Sequence, residues 1–201
     1  MAPKGSLGKY TPGQPSPLQY KVLVTILTLF SLGGGYLAGI QPTGKWRYFS
    51  WHPFLMTCGM VGFAGIGSVT KKIKGYTNTK LHAYLAWASI FCSLAGLYVI
   101  YQNKEINGFK HLKSYHAWFG ISLFLSCFGL GMVGTVVLHP DFGLDNTNKT
   151  IRLAHKMGAR LTLIFVWITA ILGLQQLIPN DLVTLSAFAV PLVLLIPFVL
   201  M

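Results

Sequence analysis

Six apolar stretches, separated by short polar connections, divide the chain along its length. A helix needs about 20 mainly apolar residues to cross a hydrocarbon core of about 30 Å, and each stretch comes close to that length. The pattern therefore predicts an all-α membrane protein with six transmembrane helices. The predicted spans are 22–40, 51–70, 81–101, 115–138, 155–178 and 182–200.

Composition supports a membrane protein and leaves no room for a separate soluble domain. The chain is 53% hydrophobic and 10% charged, whereas soluble domains carry about 25% charged residues. Residues 1–21 are rich in Pro, Gly and Ser and contain three lysines, which is typical of a short disordered tail. We therefore expect a tail over 1–21 and one six-span domain over 22–201.

The net charge of +12 would suggest a nucleic-acid partner in a soluble protein. Here the basic residues flank spans, so we expect contact with the lipid bilayer and no nucleic acid. Six spans place both termini on one face, and cytosolic faces carry more Lys and Arg. The face with the termini holds eleven basic residues and the other face five, which predicts cytosolic termini. The eleven are Lys4, Lys9, Lys21, Lys71, Lys72, Lys74, Lys80, Lys149, Arg152, Lys156 and Arg160; the five are Lys45, Arg47, Lys104, Lys110 and Lys113.

A histidine lies at or near the start of four consecutive spans: these are His52, His82, His116 and His155. An ionisable side chain within a membrane is costly and usually functional. Because successive spans start from opposite faces, His52 and His116 share the non-cytosolic side. His82 and His155 share the cytosolic side. The sequence thus predicts two histidine pairs, each formed by two different helices.

A pair of neutral imidazoles within an apolar helix bundle suits the iron of a haem. Two axial histidines leave no open position for dioxygen, which indicates electron transfer. Zinc and copper sites normally need three or four ligands, and proton relays need partner carboxylates that the spans lack. Two alternatives remain open: a haem-bearing quinol oxidoreductase or respiratory anchor subunit, and a non-redox scaffold whose histidines only pack.

Four motifs around these histidines resemble the cytochrome b561 family of six-span ascorbate-dependent transmembrane reductases. The resemblance covers about residues 22–200, and the short spacing between His111 and His116 is similar to that of stand-alone b561-domain proteins. The motifs are Ser50-Trp51-His52-Pro53, Lys80-Leu81-His82-Ala83, His111-Leu112-Lys113-Ser114-Tyr115-His116 and Arg152-Leu153-Ala154-His155.

The resemblance implies a central four-helix bundle of spans 2–5 that holds two b haems. It implies cytosolic ascorbate as electron donor and monodehydroascorbate or a ferric iron chelate as acceptor on the opposite side. The resemblance also implies a location in an endomembrane (endoplasmic reticulum, vesicle or vacuole) or in the plasma membrane, and a homodimer.

The resemblance further implies binding residues for the donor and the acceptor. Lys80, Lys149 and Arg152 lie near the cytosolic histidines and match the neighbourhood of the family's ascorbate site. His111 matches an acceptor-side position. The alternative for the three cations is a role in topology and lipid headgroup contact, and the alternative for His111 is a solvated loop side chain.

Overall fold

The computed structural model describes residues 14–200, which form six long helices and contain no strand. Each helix is long and apolar enough to cross a membrane, so the predicted all-α six-span fold is confirmed. The helices are α1 (Pro17–Gly39), α2 (Tyr48–Lys72), α3 (Tyr76–Asn107), α4 (Tyr115–Val137), α5 (Lys149–Leu177) and α6 (Leu182–Leu200).

Helix α1 begins earlier than predicted, because a capping motif precedes its apolar residues. The Ser16 hydroxyl accepts a hydrogen bond from the Gln19 amide (3.1 Å), and the Gln19 side chain accepts one from the Ser16 amide (2.8 Å). Pro17 suits the first helical position. Residues 17–21 of the predicted tail therefore belong to α1, and residues 1–13 lie outside the described part of the chain.

Helices α3 and α5 also extend past their predicted apolar spans. Asn148 caps α5, and its side-chain oxygen accepts a hydrogen bond from the Ile151 amide (3.0 Å). Helix α3 ends at Asn107, and the next residue, Gly108, adopts the left-handed conformation (φ 65°) that commonly ends a helix. Polar turns thus continue these helices beyond the apolar residues, and Lys149 is the first residue of α5.

Helices α2, α3, α4 and α5 form a closed bundle in which each contacts its two neighbours. Helix α1 packs against α2, and α6 packs against α5 and the end of α2. The buried apolar core lies mainly where α1, α2, α5 and α6 meet. Its most enclosed side chains include Leu27, Val61, Val69, Trp167, Phe188, Leu192 and Val199.

The first and last described segments meet on one face of the bundle. The Gln14 side-chain amide donates to the Ile73 carbonyl (3.0 Å), and the Lys72 ammonium donates to the Phe198 carbonyl (2.8 Å). We call this side the terminal face and the other side the opposite face. His82 and His155 each lie six residues after the first residue of their helix, α3 and α5, near the terminal face, whereas His52 and His116 lie near the opposite face.

Helices α2 and α4 each contain a wider π-helical segment, at Cys58–Phe63 and Val133–Val137. Such segments are frequent at functional sites. In α2 the Met60 carbonyl accepts a hydrogen bond from the buried Trp167 indole (3.2 Å). This bond joins α2 to α5 between the two histidine levels.

Candidate functional site

The structure brings His52 of α2 and His116 of α4 together near the opposite face. Their ring centroids are 6.3 Å apart and their planes are inclined by 87°. The pairing expected from the alternating direction of the spans is therefore present in space. Each ring is half-buried.

Both rings of this pair are held by the backbone of a further helix. His52 Nδ1 donates to the Gly96 carbonyl of α3, and His116 Nδ1 donates to the Thr169 carbonyl of α5, each over 2.9 Å. In a neutral imidazole that donates from Nδ1, the Nε2 atom carries the free lone pair. A bond of this kind fixes the tautomer and orientation of histidine ligands in metal sites.

Glycines on the neighbouring helices make room for the His116 ring and for the backbone at His52. A Cβ atom at Gly173 would lie 2.6 Å from His116 Cε1 and 2.9 Å from its Nδ1. A Cβ atom at Gly96 would lie 3.0 Å from Met56 Sδ and 3.4 Å from the His52 carbonyl. Sequence reasoning missed both glycines; their signal is a glycine in a membrane helix at the same depth as a histidine of another helix.

A cavity of about 1080 Å³ opens beside His52 and His116. Ligand pockets in proteins typically measure about 300–1,000 Å³, so this space suits a large organic group. Its walls are mainly apolar, and basic and polar side chains line its outer end. The wall residues include Met56, Leu97, Ile100, Phe124, Val166 and Leu174, and the outer end includes Arg47, Lys104 and His111.

The second pair, His82 of α3 and His155 of α5, lies near the terminal face. His82 Nδ1 donates to the Gly67 carbonyl of α2 (3.0 Å). A Cβ atom at Gly134, in the π-helical segment of α4, would lie 3.3 Å from His155 Cε1. His82 and His155 lie close enough to interact electrostatically. A glycine therefore lies beside each of these two rings, as Gly173 does beside His116.

His155 differs from the other three rings in one respect. Its Nδ1 atom is buried and has no hydrogen-bond partner among residues 14–200. Buried polar atoms in native proteins are nearly always paired. The unpaired atom therefore indicates that a group from outside the chain, such as water or a ligand, completes this end of the bundle.

The paired imidazoles fit axial coordination of a haem iron. A metal held about 2.0–2.1 Å from one nitrogen of each ring separates the ring centres by about 6 Å, close to the 6.3 Å between His52 and His116. Among the described residues, no three or more His, Cys, Asp or Glu side chains lie together as a metal cluster. At the His52–His116 pair, two imidazole nitrogens and a mainly apolar cavity are the donor set and the surroundings that a porphyrin requires.

Lys80, predicted to bind the donor, is engaged by an acidic side chain of the α4–α5 loop. Its ammonium lies 3.0 Å from Asp141 Oδ2. The Tyr76 hydroxyl donates to Asp141 Oδ1 over 2.6 Å. The Tyr76 hydrogen bond, followed by that of Lys80, holds the pKa of the Asp141 carboxyl below its usual value. A cavity of about 260 Å³, lined also by Trp87 and Thr135, lies beside these groups.

The other two predicted donor-side cations lie in the first turn of α5. Lys149 is exposed at the helix start. Arg152 precedes His155 by three residues, and its guanidinium donates to the Asn146 carbonyl. The structure thus places Arg152 on the same side of α5 as His155, one turn closer to the terminal face.

His111, predicted for the acceptor side, lies on the α3–α4 loop. Its Nε2 atom is 2.6 Å from Glu105 Oε1, and its ring stacks on Tyr101 with centroids 4.9 Å apart. His111 also lines the outer end of the large cavity, together with Lys104. The structure therefore places it between solvent and the His52–His116 pair.

Comparisons with known proteins connect this arrangement to one family. A family model described as "Eukaryotic cytochrome b561" matches residues 51–180, a range that includes all four paired histidines. The transmembrane ascorbate-dependent reductase CYB561 of Ovis aries is 27% identical over 188 residues, which cover 86% of this chain and 74% of the relative.

Two further relatives have similar names. The lysosomal membrane ascorbate-dependent ferrireductase CYB561A3 of Mus musculus is 31% identical over 90 residues, covering 42% of this chain and 37% of the relative. The ascorbate-specific transmembrane electron transporter 2 of Zea mays is 24% identical over 159 residues, covering 77% of this chain and 66% of the relative.

Proposed function

Because the chain belongs to the eukaryotic cytochrome b561 family, we propose that it carries electrons across a membrane through two bis-histidine b haems. The donor is cytosolic ascorbate, and the acceptor on the opposite side is monodehydroascorbate or a ferric iron chelate. Family membership confirms the resemblance noted in the sequence motifs and makes the chain a transmembrane oxidoreductase. The names of its relatives, which refer to ascorbate, support the choice of donor.

The observation that carries this proposal is the His52–His116 pair, with its 6.3 Å spacing and two backbone-anchored Nδ1 atoms. The Gly96 and Thr169 carbonyls orient the rings and increase the basicity of the free Nε2 atoms. His52 and His116 would hold the iron of a haem, and a bound haem would supply one-electron transfer.

On the terminal face, which we place in the cytosol, the residues of this chain attract and orient an anionic donor. Lys80, Lys149 and Arg152 are the predicted contacts for ascorbate, which is a monoanion at neutral pH. Charge-assisted hydrogen bonds from such cations are stronger than neutral ones. Before Lys80 can bind a donor, its ammonium must exchange the Asp141 carboxylate for the substrate oxygen.

On the opposite face, His111 and the cations at the outer end of the large cavity serve the acceptor. Arg47 and Lys104 line that end with His111, so an anionic acceptor meets a positive surface there. His111 exchanges its Glu105 partner when it binds the acceptor. We place the protein in an endomembrane or the plasma membrane, as a homodimer within the lipid bilayer.

Sealed liposomes test the proposed function. Purified protein is reconstituted, ascorbate is trapped inside, and a membrane-impermeant ferric chelate is added outside. We expect protein-dependent reduction of the chelate, and loss of that reduction in His116→Ala. Reduction of the bound haem by a quinol but not by ascorbate would instead support a quinol oxidoreductase. Absence of haem absorbance in the purified protein would support a non-redox scaffold whose histidines only pack.

A further inference from the structure

The cavity of about 260 Å³ near the terminal face lies between α3 and α4. Its wall on α3 includes Ala83, Tyr84 and Trp87, and its wall on α4 includes Thr135. With 3.6 residues per turn, Tyr84 lies on the side of α3 that faces away from His82. Because Tyr84 is 64% exposed on that side, the cavity opens towards the bilayer and is separate from the space between the paired histidines.

Two hydrogen-bond donors line this cavity. The Trp87 indole N–H donates to the Thr135 hydroxyl oxygen over 2.9 Å, so the hydroxyl hydrogen of Thr135 remains available to a ligand. His139 Nδ1 accepts a hydrogen bond from the Asp141 amide over 3.2 Å. In the neutral ring the hydrogen of His139 is therefore on Nε2. The cavity thus suits a ligand with oxygen atoms that accept hydrogen bonds.

The charges at the mouth of the cavity compensate each other. The Lys80 ammonium lies 3.0 Å from Asp141 Oδ2, and the Tyr76 hydroxyl donates to Asp141 Oδ1 over 2.6 Å. A lipid phosphate at this mouth would be repelled by the carboxylate, whereas an uncharged polar group would not. The cavity therefore favours a ligand whose polar end is neutral.

Aromatic rings continue from the cavity into the membrane interior. The rings of His139 and Phe142, which both line the cavity, stack with centroids 3.8 Å apart. The ring of Trp87 lies 5.8 Å from that of Phe91 and 6.2 Å from that of Phe128. Phe91 is one turn deeper on α3 than Trp87 and is exposed on the helix surface. An apolar tail can follow this aromatic surface away from the cavity.

We propose that the cavity binds the head of a membrane-soluble quinone, with the quinone's apolar tail along Phe91 and Phe128. A quinone ring is flat and uncharged, and its carbonyl oxygens accept hydrogen bonds from Thr135 and His139. Aromatic walls favour a flat ring. A phospholipid head carries a charged phosphate, and a sterol offers a single oxygen for the two donors. The volume is just below the range of about 300–1,000 Å³ for whole-ligand pockets, as expected if only the head is enclosed.

The cavity lies on the far side of α4 from His155. Thr135 belongs to the π-helical segment Val133–Val137, and π-helical segments are frequent at functional sites. The preceding residue, Gly134, faces the histidine, since a Cβ atom there would lie 3.3 Å from His155 Cε1. The quinone is thus a further ligand, taken from the bilayer, and its binding does not depend on the proposed donor or acceptor.

Photolabelling of purified, haem-loaded protein in lipid nanodiscs tests this site. The probe is an azido-substituted short-chain ubiquinone, decylubiquinone is the competitor, and peptide mass spectrometry locates the label. We expect saturable labelling within residues 80–87 and 135–142, which line the cavity, and loss of that labelling when decylubiquinone is added.

Two substitutions change the cavity in different ways. Thr135→Val removes a donor at nearly constant shape and should raise the half-saturating probe concentration about fivefold, as the loss of one hydrogen bond typically does. Ala83→Leu fills part of the cavity and should raise that concentration about tenfold or more. The smaller change, Thr135→Val, keeps the test decisive if the larger side chain of Ala83→Leu disturbs the haem sites.

Thr28→Val is the matched control. Thr28 is exposed on α1, and its hydroxyl donates within its own helix to the Val24 carbonyl over 2.8 Å. This variant should be labelled like the wild type. The haem-to-protein ratio of each variant, measured before labelling, shows that its fold is intact.

Labelling that does not saturate, that spreads over all the lipid-exposed helices, or that gathers in the cavity beside His52 and His116 would overturn the inference. Equal half-saturation in the wild type, Thr135→Val and Ala83→Leu would overturn it as well. Equally strong competition by cholesterol or phosphatidylglycerol would assign the cavity to another lipid and so refute the quinone. Failure of the proposed function looks different, because the wild-type protein would then bind no haem or would not be reduced by ascorbate.

Discussion

Replacing Gly173 with Ala tests the His52–His116 site without mutating either histidine. The added Cβ would lie 2.6 Å from His116 Cε1 and 2.9 Å from Nδ1, whereas carbon atoms pack at about 3.5–4.0 Å. The imidazole must therefore retreat by about 1 Å. Metal–ligand distances hold to about 0.2 Å, so a shift of this size would take His116 out of reach as an iron ligand.

The displacement also endangers the hydrogen bond from His116 Nδ1 to the Thr169 carbonyl. Loss of such supporting bonds typically weakens metal binding about 10–100-fold. We expect Gly173→Ala to lower haem affinity at this site by at least tenfold, which corresponds to about 1.4 kcal/mol. Haem per chain should then fall from two towards one, and the remaining haem should still be reduced by ascorbate.

The assay is the haem-to-protein ratio with a reduced-minus-oxidised spectrum, after size-exclusion chromatography and far-UV circular dichroism. Gly129→Ala is the matched control, since a Cβ there meets nothing within 4 Å. Wild-type haem content and an unchanged spectrum in Gly173→Ala would refute the geometric reasoning. Loss of both haems from a correctly folded variant would refute the independence of the two sites.

Three other predictions follow from individual contacts. Gly134→Ala brings a Cβ only to 3.3 Å from His155 Cε1, so haem content should persist while one midpoint potential shifts in a redox titration; complete haem loss would contradict this. Trp167→Phe leaves the buried Met60 carbonyl without its partner and should cost about 1–3 kcal/mol, seen as a lower thermal midpoint in detergent; an unchanged midpoint would count against the bond. The lowered pKa of Asp141 means that its bonds to Tyr76 and Lys80 stabilise the α4–α5 loop fully above the usual pKa of an aspartate. This stabilisation is lost as pH falls from that value through the lowered pKa. The protection factors of the amides of residues 139–148, which are exchange rates corrected for the intrinsic pH dependence of exchange, should therefore fall at acid pH in the wild type and be already low at pH 7 in Asp141→Asn. Equal protection factors in both proteins would refute the loop contact.

The six helices could be predicted from hydropathy because the bilayer requires about 20 apolar residues for each crossing. The ends of the helices could not, because capping rather than apolarity decides them. Ser16 with Gln19, and Asn148, start α1 and α5 within polar sequence. These signals are visible in the sequence, but the apolar spans alone do not reveal them.

The proximity of His52 and His116 could be predicted from the alternating direction of the spans. Contacts between residues far apart in sequence could not, because they depend on how the helices rotate and pack. Gly173 beside His116 and Asp141 on Lys80 are of this kind. The position of Lys80 close to His82 in the sequence therefore indicates a cationic face of the protein. Only the structure shows that the Lys80 ammonium is paired with Asp141.

The number of haems per chain, in the wild type and in His116→Ala, tests the central claim most directly. Each histidine pair is expected to hold one haem, and spans of about 30 Å keep the two levels apart. We predict two haems in the wild type and one in His116→Ala, with that one still reduced by ascorbate, and the same result for the His52→Ala/His116→Ala double variant. A single haem in the wild type, or loss of both from the folded double variant, would contradict the account.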